Sequence, residues 1–171
     1  NYQKSINLAE KKQDNSYLVW AQLNYSSYRY HYYQYSQMLP VFVAAVRKIE
    51  NLKDHQIILP QQSYKQIAWV MQTIGATDDA ITYFVKSSNR LQDDSSEKAS
   101  LLDNLTICYI KKQEYEKALK LLKEANTIAY KVNDSLRIAK TYGNMGNIYL
   151  LQKQYDKAIE YLLKDIKFLK K

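Results

Sequence analysis

A unit of about forty residues recurs along this chain, and the recurrence limits the possible folds more than any other feature. The run Tyr155-Asp156-Lys157-Ala158-Ile159 has a counterpart 40 residues earlier in Tyr115-Glu116-Lys117-Ala118-Leu119. A third copy lies 38 residues further back, at Asp78-Asp79-Ala80-Ile81, and a degenerate fourth would set Pro40 against Ala80. Repeats of this length are typical of arrays in which each unit is one supersecondary element.

Each copy carries a small residue flanked by large apolar residues at spacings of three and four. The small residues are Ala68 and Gly146 in the first half of a copy and Ala80, Ala118 and Ala158 in the second half. Apolar residues at this spacing predict amphipathic helices, and a small residue lets two helices approach closely. We therefore predict an all-α fold of antiparallel helical hairpins whose neighbours bury each other's apolar faces.

The composition agrees with helices and argues against strands or a membrane span. Three Gly and two Pro among 171 residues are too few for the many turns of an all-β sandwich. The 46% hydrophobic and 25% charged residues are typical of a domain that buries a core in water. The longest apolar run, Leu39 to Val46, is shorter than the roughly 18 residues of a membrane span, so we expect no membrane insertion.

The last copy resembles a tetratricopeptide repeat. Tyr142, Met145-Gly146 and Tyr149 in its first half, and Tyr155-x-x-Ala158 in its second, follow the spacing of that family, as does Leu162. The resemblance implies hairpins stacked as a right-handed superhelix, an α-solenoid, whose first helices line a concave groove. The copies lie 38 to 40 residues apart rather than the usual ~34, and the Pro that ends the family's second helix is absent. Long units of this kind resemble those of bacterial sensory and regulatory proteins.

Turn and capping residues predict a single array over 1–171. It has the second helix of a truncated repeat over 1–15, a degenerate repeat over 16–53, and repeats over 61–91, 96–132 and 135–171. Pro40 is predicted in the first turn of a second helix, where its missing amide hydrogen is tolerated. The run Asp94-Ser95-Ser96-Glu97 predicts a capping box that begins at Asp94. Both ends of the chain lie inside helical pattern, which indicates a piece of a longer protein.

Residues suited to catalysis or metal binding are few. The sequence has one Cys, Cys108, and two His, His31 and His55, with no partner at ligand spacing. We therefore predict no metal site, no cofactor and no enzymatic activity, and interpret Cys108 as a small apolar packing residue. The pairs Asp78-Asp79 and Asp93-Asp94 fall at predicted helix starts, where the helix dipole favours negative charge.

The net charge of +8 is concentrated in the last copies. Residues 99–171 hold 14 Lys and Arg against 8 Asp and Glu. Because these cations alternate with acids, we interpret them as a solvated helix face rather than a nucleic-acid site.

A cluster of tyrosines lies on one predicted helix, at Tyr25, Tyr28, Tyr30, Tyr32, Tyr33 and Tyr35. A helix that buries one stripe has room for about half of six such residues. The family resemblance places groove positions at Gln22, Tyr25, Arg29, Tyr32 and Tyr33, and tyrosine suits recognition because it offers a large contact area and a hydroxyl. The alternative is a degenerate repeat that fills its core with aromatic rings.

The family resemblance implies a second candidate site. Some tetratricopeptide repeat domains hold the carboxylate of a peptide C-terminus with Lys and Asn side chains of three successive first helices. Lys65, Asn104 and Lys140 match those positions, whereas Trp69 and Asn144 replace the expected Asn and basic residue. Such a clamp would work through charge-assisted hydrogen bonds. Asn104 and Asn144 also fit the general consensus of the repeat, so both interpretations stay open.

The leading hypothesis is a non-catalytic module that binds a protein or peptide segment in its groove, as the interaction region of a larger signalling or transcription-regulatory protein. The candidate groove residues are Tyr25, Arg29, Tyr32, Tyr33, Lys65, Trp69, Gln72, Asn104, Lys111, Lys140, Asn144 and Asn147. The alternative is a structural scaffold or self-association segment without a peptide ligand. A nucleic-acid partner is disfavoured by the mixed charges.

Overall fold

A computed structural model describes residues 2–31, 35–91 and 94–169, and all regular structure in these ranges is helical. The all-α prediction and the α-solenoid fold class are thereby confirmed. The chain divides into two compact units, Asn1–Arg90 and Leu91–Lys171, each of which we describe by itself.

The first unit is built from five α-helices within its described residues. They are α1 (Tyr2–Lys11), α2 (Asn15–His31), α3 (Tyr35–Glu50), α4 (Pro60–Ile74) and α5 (Thr77–Ser88), with a short 3-10 turn at Asp54–Gln56. Helix α2 packs against α1, α3 and α4, and α4 packs against α5. The expected Asp78-Asp79 pair lies in the first turn of α5, where the helix dipole stabilises it.

The described residues of the second unit form two helical hairpins. They are α6 (Ser96–Lys111) with α7 (Tyr115–Lys131), and α8 (Ser135–Leu151) with α9 (Tyr155–Leu169). Helix α8 also packs against α6 and α7, so its apolar side joins the two hairpins. Cys108 on α6 is fully buried, which confirms its predicted packing role.

Small residues stand where the two helices of a hairpin approach. Ala80, Ala118 and Ala158 are all buried. A Cβ atom added to Gly146 would lie 2.8 Å from Leu162 Cγ and 3.3 Å from the Ala158 carbonyl oxygen. The absence of a side chain at this position therefore sets how closely α9 can pack on α8.

Several tight turns use a left-handed residue other than glycine. Gln13, Gln113, Asn133 and Lys153 have φ angles of 55°, 58°, 56° and 59°. Each ends a helix, and the next helix begins two residues later. Since the chain has only three glycines, most of its left-handed C-caps carry the cost of a Cβ atom.

Two local predictions are wrong. Pro40 is the sixth residue of α3 and lies in its second turn, because good helix formers such as Met38 and Leu39 let the helix begin before the proline. The N-cap of α6 is Ser95, whose Oγ accepts from the Lys98 amide at 3.2 Å, rather than Asp94. The Asp94 carboxylate instead pairs with Lys131 Nζ of α7 at 2.7 Å, which lowers the pKa of Asp94.

Candidate functional site

The candidate groove residues of the second unit lie on two packed first helices. Lys140, Asn144 and Asn147 fall within about 60° of one another around α8, at 100° per residue. Asn104 and Lys111 likewise share one side of α6. Lys111, Lys140 and Asn147 are exposed to solvent. This unit therefore has accessible polar groups on both first helices.

A buried carboxylate stands among these residues. Asp103 of α6 is only 9% exposed, and its Oδ1 accepts a hydrogen bond from Asn144 Nδ2 at 2.5 Å. Its Oδ2 lies 3.5 Å from an Nη of Arg137, which also stands on α8. Burial raises the pKa of Asp103, while the Asn144 hydrogen bond and the nearby positive charges act against the increase. The result is a polar link that ties α6 to α8.

This link changes what the predicted clamp residues can offer. Asn144 already donates to Asp103, and Asn104 Nδ2 donates to the Ser100 carbonyl oxygen at 2.9 Å. Of the matched positions in this unit, the exposed Lys140 has the most accessible side chain. Asp103 and Arg137 are not among the residues that the sequence pattern predicts for this site. Asp103 could have been noticed from the sequence, because an acid directly before Asn104 is unexpected among positions predicted to bind a carboxylate.

The described candidate groove residues of the first unit lie on α2 and α4. A hydrogen bond of 2.8 Å from Gln66 Nε2 to Asn24 Oδ1 joins the two helices. Trp69 of α4 is 44% exposed although its ring is large and apolar, and Lys65 one turn earlier is half-buried. Gln72, one turn after Trp69, is buried and offers little surface to a ligand.

The tyrosines of α2 occupy different environments. Tyr30 is buried, Tyr28 is exposed with its ring centre 6.0 Å from that of Tyr2, and Tyr25 is half-buried. The guanidinium of Arg29 lies 5.8 Å from the centre of the Tyr25 ring, a cation–π distance. Tyr32 and Tyr33 lie outside the described residues. The described part of the cluster thus includes both core and surface positions.

A second group of tyrosines sits between α4 and α5. The rings of Tyr64 and Tyr83 stack with centres 6.0 Å apart, and the Tyr83 hydroxyl donates to a Glu50 carboxylate oxygen. Burial, and for Tyr83 also the Glu50 hydrogen bond, raises the pKa of both hydroxyls. Arg90 lies over the Tyr64 ring at 4.6 Å and pairs with Asp54 at 2.6 Å. Phenols with a raised pKa stay protonated at neutral pH, so this group suits packing better than acid–base chemistry.

The described residues form neither a metal cluster nor a membrane-spanning helix. In residues 2–31, 35–91 and 94–169, no three His, Cys, Asp or Glu side chains come close enough to hold a metal ion. None of the described helices combines the length and the apolar character that crossing a bilayer requires.

This helical-repeat architecture is shared with known proteins. Residues 97–170 match the tetratricopeptide repeat family. No curated protein matches the sequence.

Solved structures match nearly the whole chain. BtubC (BKLC) from P. vanneervenii has 16% identity and a TM-score of 0.72, and the match covers 98% of this chain and 70% of that one. Aspartyl phosphate phosphatase F from Bacillus subtilis has 16% identity and a TM-score of 0.75, with coverages of 96% and 44%. The apo form of RapI has 18% identity and a TM-score of 0.77, with coverages of 99% and 48%.

At such low identity, these likenesses show the fold alone. The chain spans less than half the length of the Bacillus phosphatase and of RapI. The match over 97–170 and the shared fold together confirm the resemblance seen in the last copies. The chain is therefore a helical-repeat protein whose residues 97–170 belong to the tetratricopeptide repeat family.

Proposed function

We propose that the chain is a non-catalytic module that binds a protein or peptide segment along the first helices of its hairpins. The observation that carries this proposal is the 44% exposure of Trp69 on α4. A tryptophan that the core does not bury offers a large, rigid contact area, and such residues dominate the energetics of protein interfaces. Lys65 supplies a cation one turn away.

The second unit supports the same function by its polar groups. The link from Asp103 to Asn144 and Arg137 holds α6 and α8 together and fixes the spacing between their side chains. Lys111, Lys140 and Asn147 stand exposed on these two helices. Groups on rigid helices lose little freedom when a ligand binds, which favours affinity.

The length of the repeats supports a proposal for the wider role. Units of 38 to 40 residues resemble those of bacterial sensory and regulatory proteins. We infer that this module is the sensing or interaction region of a larger signalling or transcription-regulatory protein.

Trp69 makes the proposal directly testable. The chain has two tryptophans, so a Trp20→Phe variant leaves Trp69 as its single indole. Peptides selected from a random displayed library against the immobilised chain would be titrated into this variant. Groove binding predicts that the emission of Trp69 shifts or is quenched with the same midpoint as binding.

Matched variants separate the groove from the rest of the surface. Lys65→Ala with Trp69→Ala should weaken peptide binding by roughly 2 kcal/mol or more, the cost typical of a hot spot. Lys153→Ala with Tyr155→Ala removes an exposed lysine and an exposed aromatic residue elsewhere and should leave binding unchanged. If the two double variants bind the selected peptides equally well, the groove is not the binding site.

A scaffold or self-association role is the second candidate, and α9 favours it. Tyr155, Ile159 and Leu163 are 59%, 58% and 61% exposed and follow one another at four-residue steps along this helix. Sedimentation of the wild-type chain and of an Ile159→Glu, Leu163→Glu variant tests this role. A wild-type dimer that the variant abolishes would support it, whereas two monomers would exclude it.

A further inference from the structure

A cleft of about 450 Å³ opens in the second unit, between α7 and the turn that joins α8 to α9. Lys120 and Lys123 line it from α7, and Lys157 lines it from the start of α9. Gln152 and Gln154 supply two side-chain amides between them. The one carboxylate in the lining is that of Glu116, so the cleft carries an excess of positive charge.

Two of these lysines are not neutralised by the protein. In the described part of the chain, neither Lys120 nor Lys123 forms an ion pair, whereas nearby Lys117 pairs with Glu114 at 2.5 Å. The third, Lys157, donates to Gln154 Oε1 at 2.9 Å and lies 5.4 Å from the centre of the Tyr149 ring. Lys157 is thereby held at the rim of the cleft, while Lys120 and Lys123 keep their ammonium groups available.

The cleft is distinct from the candidate groove. Tyr149, which lines the cleft, follows Lys140 by nine residues, or two and a half turns of α8. The two side chains therefore leave α8 on opposite sides. A ligand in the cleft would not contact Lys140, Asn144 or Asn147.

The lining chemistry indicates the class of ligand. Lys120 and Lys123 are three residues apart, so their backbones are offset by roughly 4.5 Å along the helix, a distance that suits two separate carboxylates. Lysine acts as a point charge that pairs with a carboxylate or a phosphate, so the spacing of the two lysines and the neighbouring amides, rather than the lysines alone, favour a peptide. Gln154 Nε2 donates to Gln152 Oε1 at 3.4 Å, and the Gln152 amide nitrogen and the remaining lone pairs of the two side-chain oxygens can bond a peptide backbone.

We propose that this cleft binds an acidic peptide segment, with its carboxylates on Lys120 and Lys123 and its backbone beside Gln152 and Gln154. The excess of cations over acids in residues 99–171 attracts such a segment and speeds its association. This site adds an acidic partner to the groove interaction and does not depend on it.

The test uses a fluorescently labelled hexaglutamate peptide and the full chain, with binding followed by fluorescence anisotropy. A Lys120→Gln, Lys123→Gln variant removes the two free ammonium groups of the cleft. A Lys11→Gln, Lys12→Gln control variant lowers the net charge by the same amount at two exposed lysines of the first unit, outside both the cleft and the candidate groove. Circular dichroism checks that all three proteins are equally helical, and hexaglutamine serves as the uncharged probe.

The proposal predicts that the cleft variant weakens hexaglutamate binding about tenfold, while the control variant stays within about twofold of wild type. Equal losses in both variants would show nonspecific attraction and overturn the proposal. Unchanged binding in the cleft variant would also overturn it, because the peptide would then bind at another site. Displacement of hexaglutamate by inorganic phosphate at equal charge concentration would refute the assignment to peptide carboxylates.

Discussion

Replacing Gly146 with alanine tests whether the missing side chain sets the approach of α9 to α8. The new Cβ atom would lie 2.8 and 2.9 Å from Cγ and Cδ2 of Leu162 and 3.3 Å from the backbone oxygen of Ala158. Leu162 can turn only partly away, and the Ala158 oxygen is fixed in its helix. Alanine should therefore push the two helices apart.

The magnitude follows from two opposing effects. Alanine in a helix interior is favoured over glycine by about 1 kcal/mol. Overpacking of a close contact costs about 1–3 kcal/mol. The free energy of unfolding of Gly146→Ala should therefore fall by about 0–2 kcal/mol, although alanine is the better helix former.

Gly143 on the same helix provides the matched control. Its added Cβ atom would meet only the carboxylate of Asp165, at 2.7 Å from Oδ2, and this side-chain end can rotate away. Gly143→Ala should therefore keep most of its helix-propensity gain of about 1 kcal/mol. The two variants should differ by about 1–3 kcal/mol in unfolding free energy.

Urea unfolding followed by circular dichroism gives both unfolding free energies. A further Leu162→Ala change should reduce the cost of Gly146→Ala, because the nearest clashing atoms are removed, and a double-mutant cycle measures that coupling. If Gly146→Ala stabilises the chain as much as Gly143→Ala does, the close approach of α9 does not depend on this glycine.

Three further predictions concern turns, caps and the buried acid. Gln113→Gly should raise the free energy of unfolding by about 1 kcal/mol, since the φ angle of 58° strains a residue with a Cβ atom; an unchanged urea midpoint would contradict this. Asp134→Ala should lower it by about 1 kcal/mol, because the Asp134 side chain caps α8 by accepting from the Arg137 amide at 2.9 Å; thermal unfolding measures the loss. Burial raises the pKa of Asp103, so protonation of this carboxyl stabilises the folded state. The stabilisation is complete below the usual aspartate pKa and is lost as pH rises through the pKa of Asp103 in the folded protein. The unfolding free energy of Asp103→Asn, relative to that of wild type, should therefore increase as the pH rises from acidic to neutral. A difference in urea midpoint that stays constant across that range would disprove the prediction.

Local sequence patterns were sufficient to predict the helices and the contacts inside a hairpin. Apolar spacing of three and four residues identifies the buried side of a helix whatever packs on it. Examples are Ala118, Ala158 and Cys108, which are all buried. A small or apolar residue on the buried side of a helix has packing as its main role. The resemblance of the last copies to tetratricopeptide repeats was strong for the same reason.

Capping depended on the tertiary structure. Asp94 and Ser95 are both good N-cap residues, so sequence alone could not choose between them. In the folded unit, Lys131 of α7 pairs with the Asp94 carboxylate, and Ser95 caps α6. The Asp94 carboxylate is thus engaged by a lysine 37 residues away along the chain, a contact that no local pattern specifies.

The candidate site shows the same division between local and tertiary information. The sequence by itself determined which residues lie on the first helices, because position on a helix follows from residue number. Only the tertiary structure decided that Asn144 donates to Asp103 across 41 residues, and that Trp69 is left exposed. Hydrogen bonds and exposure depend on where neighbouring helices stand, and that placement is the sum of many contacts that no single stretch of sequence contains.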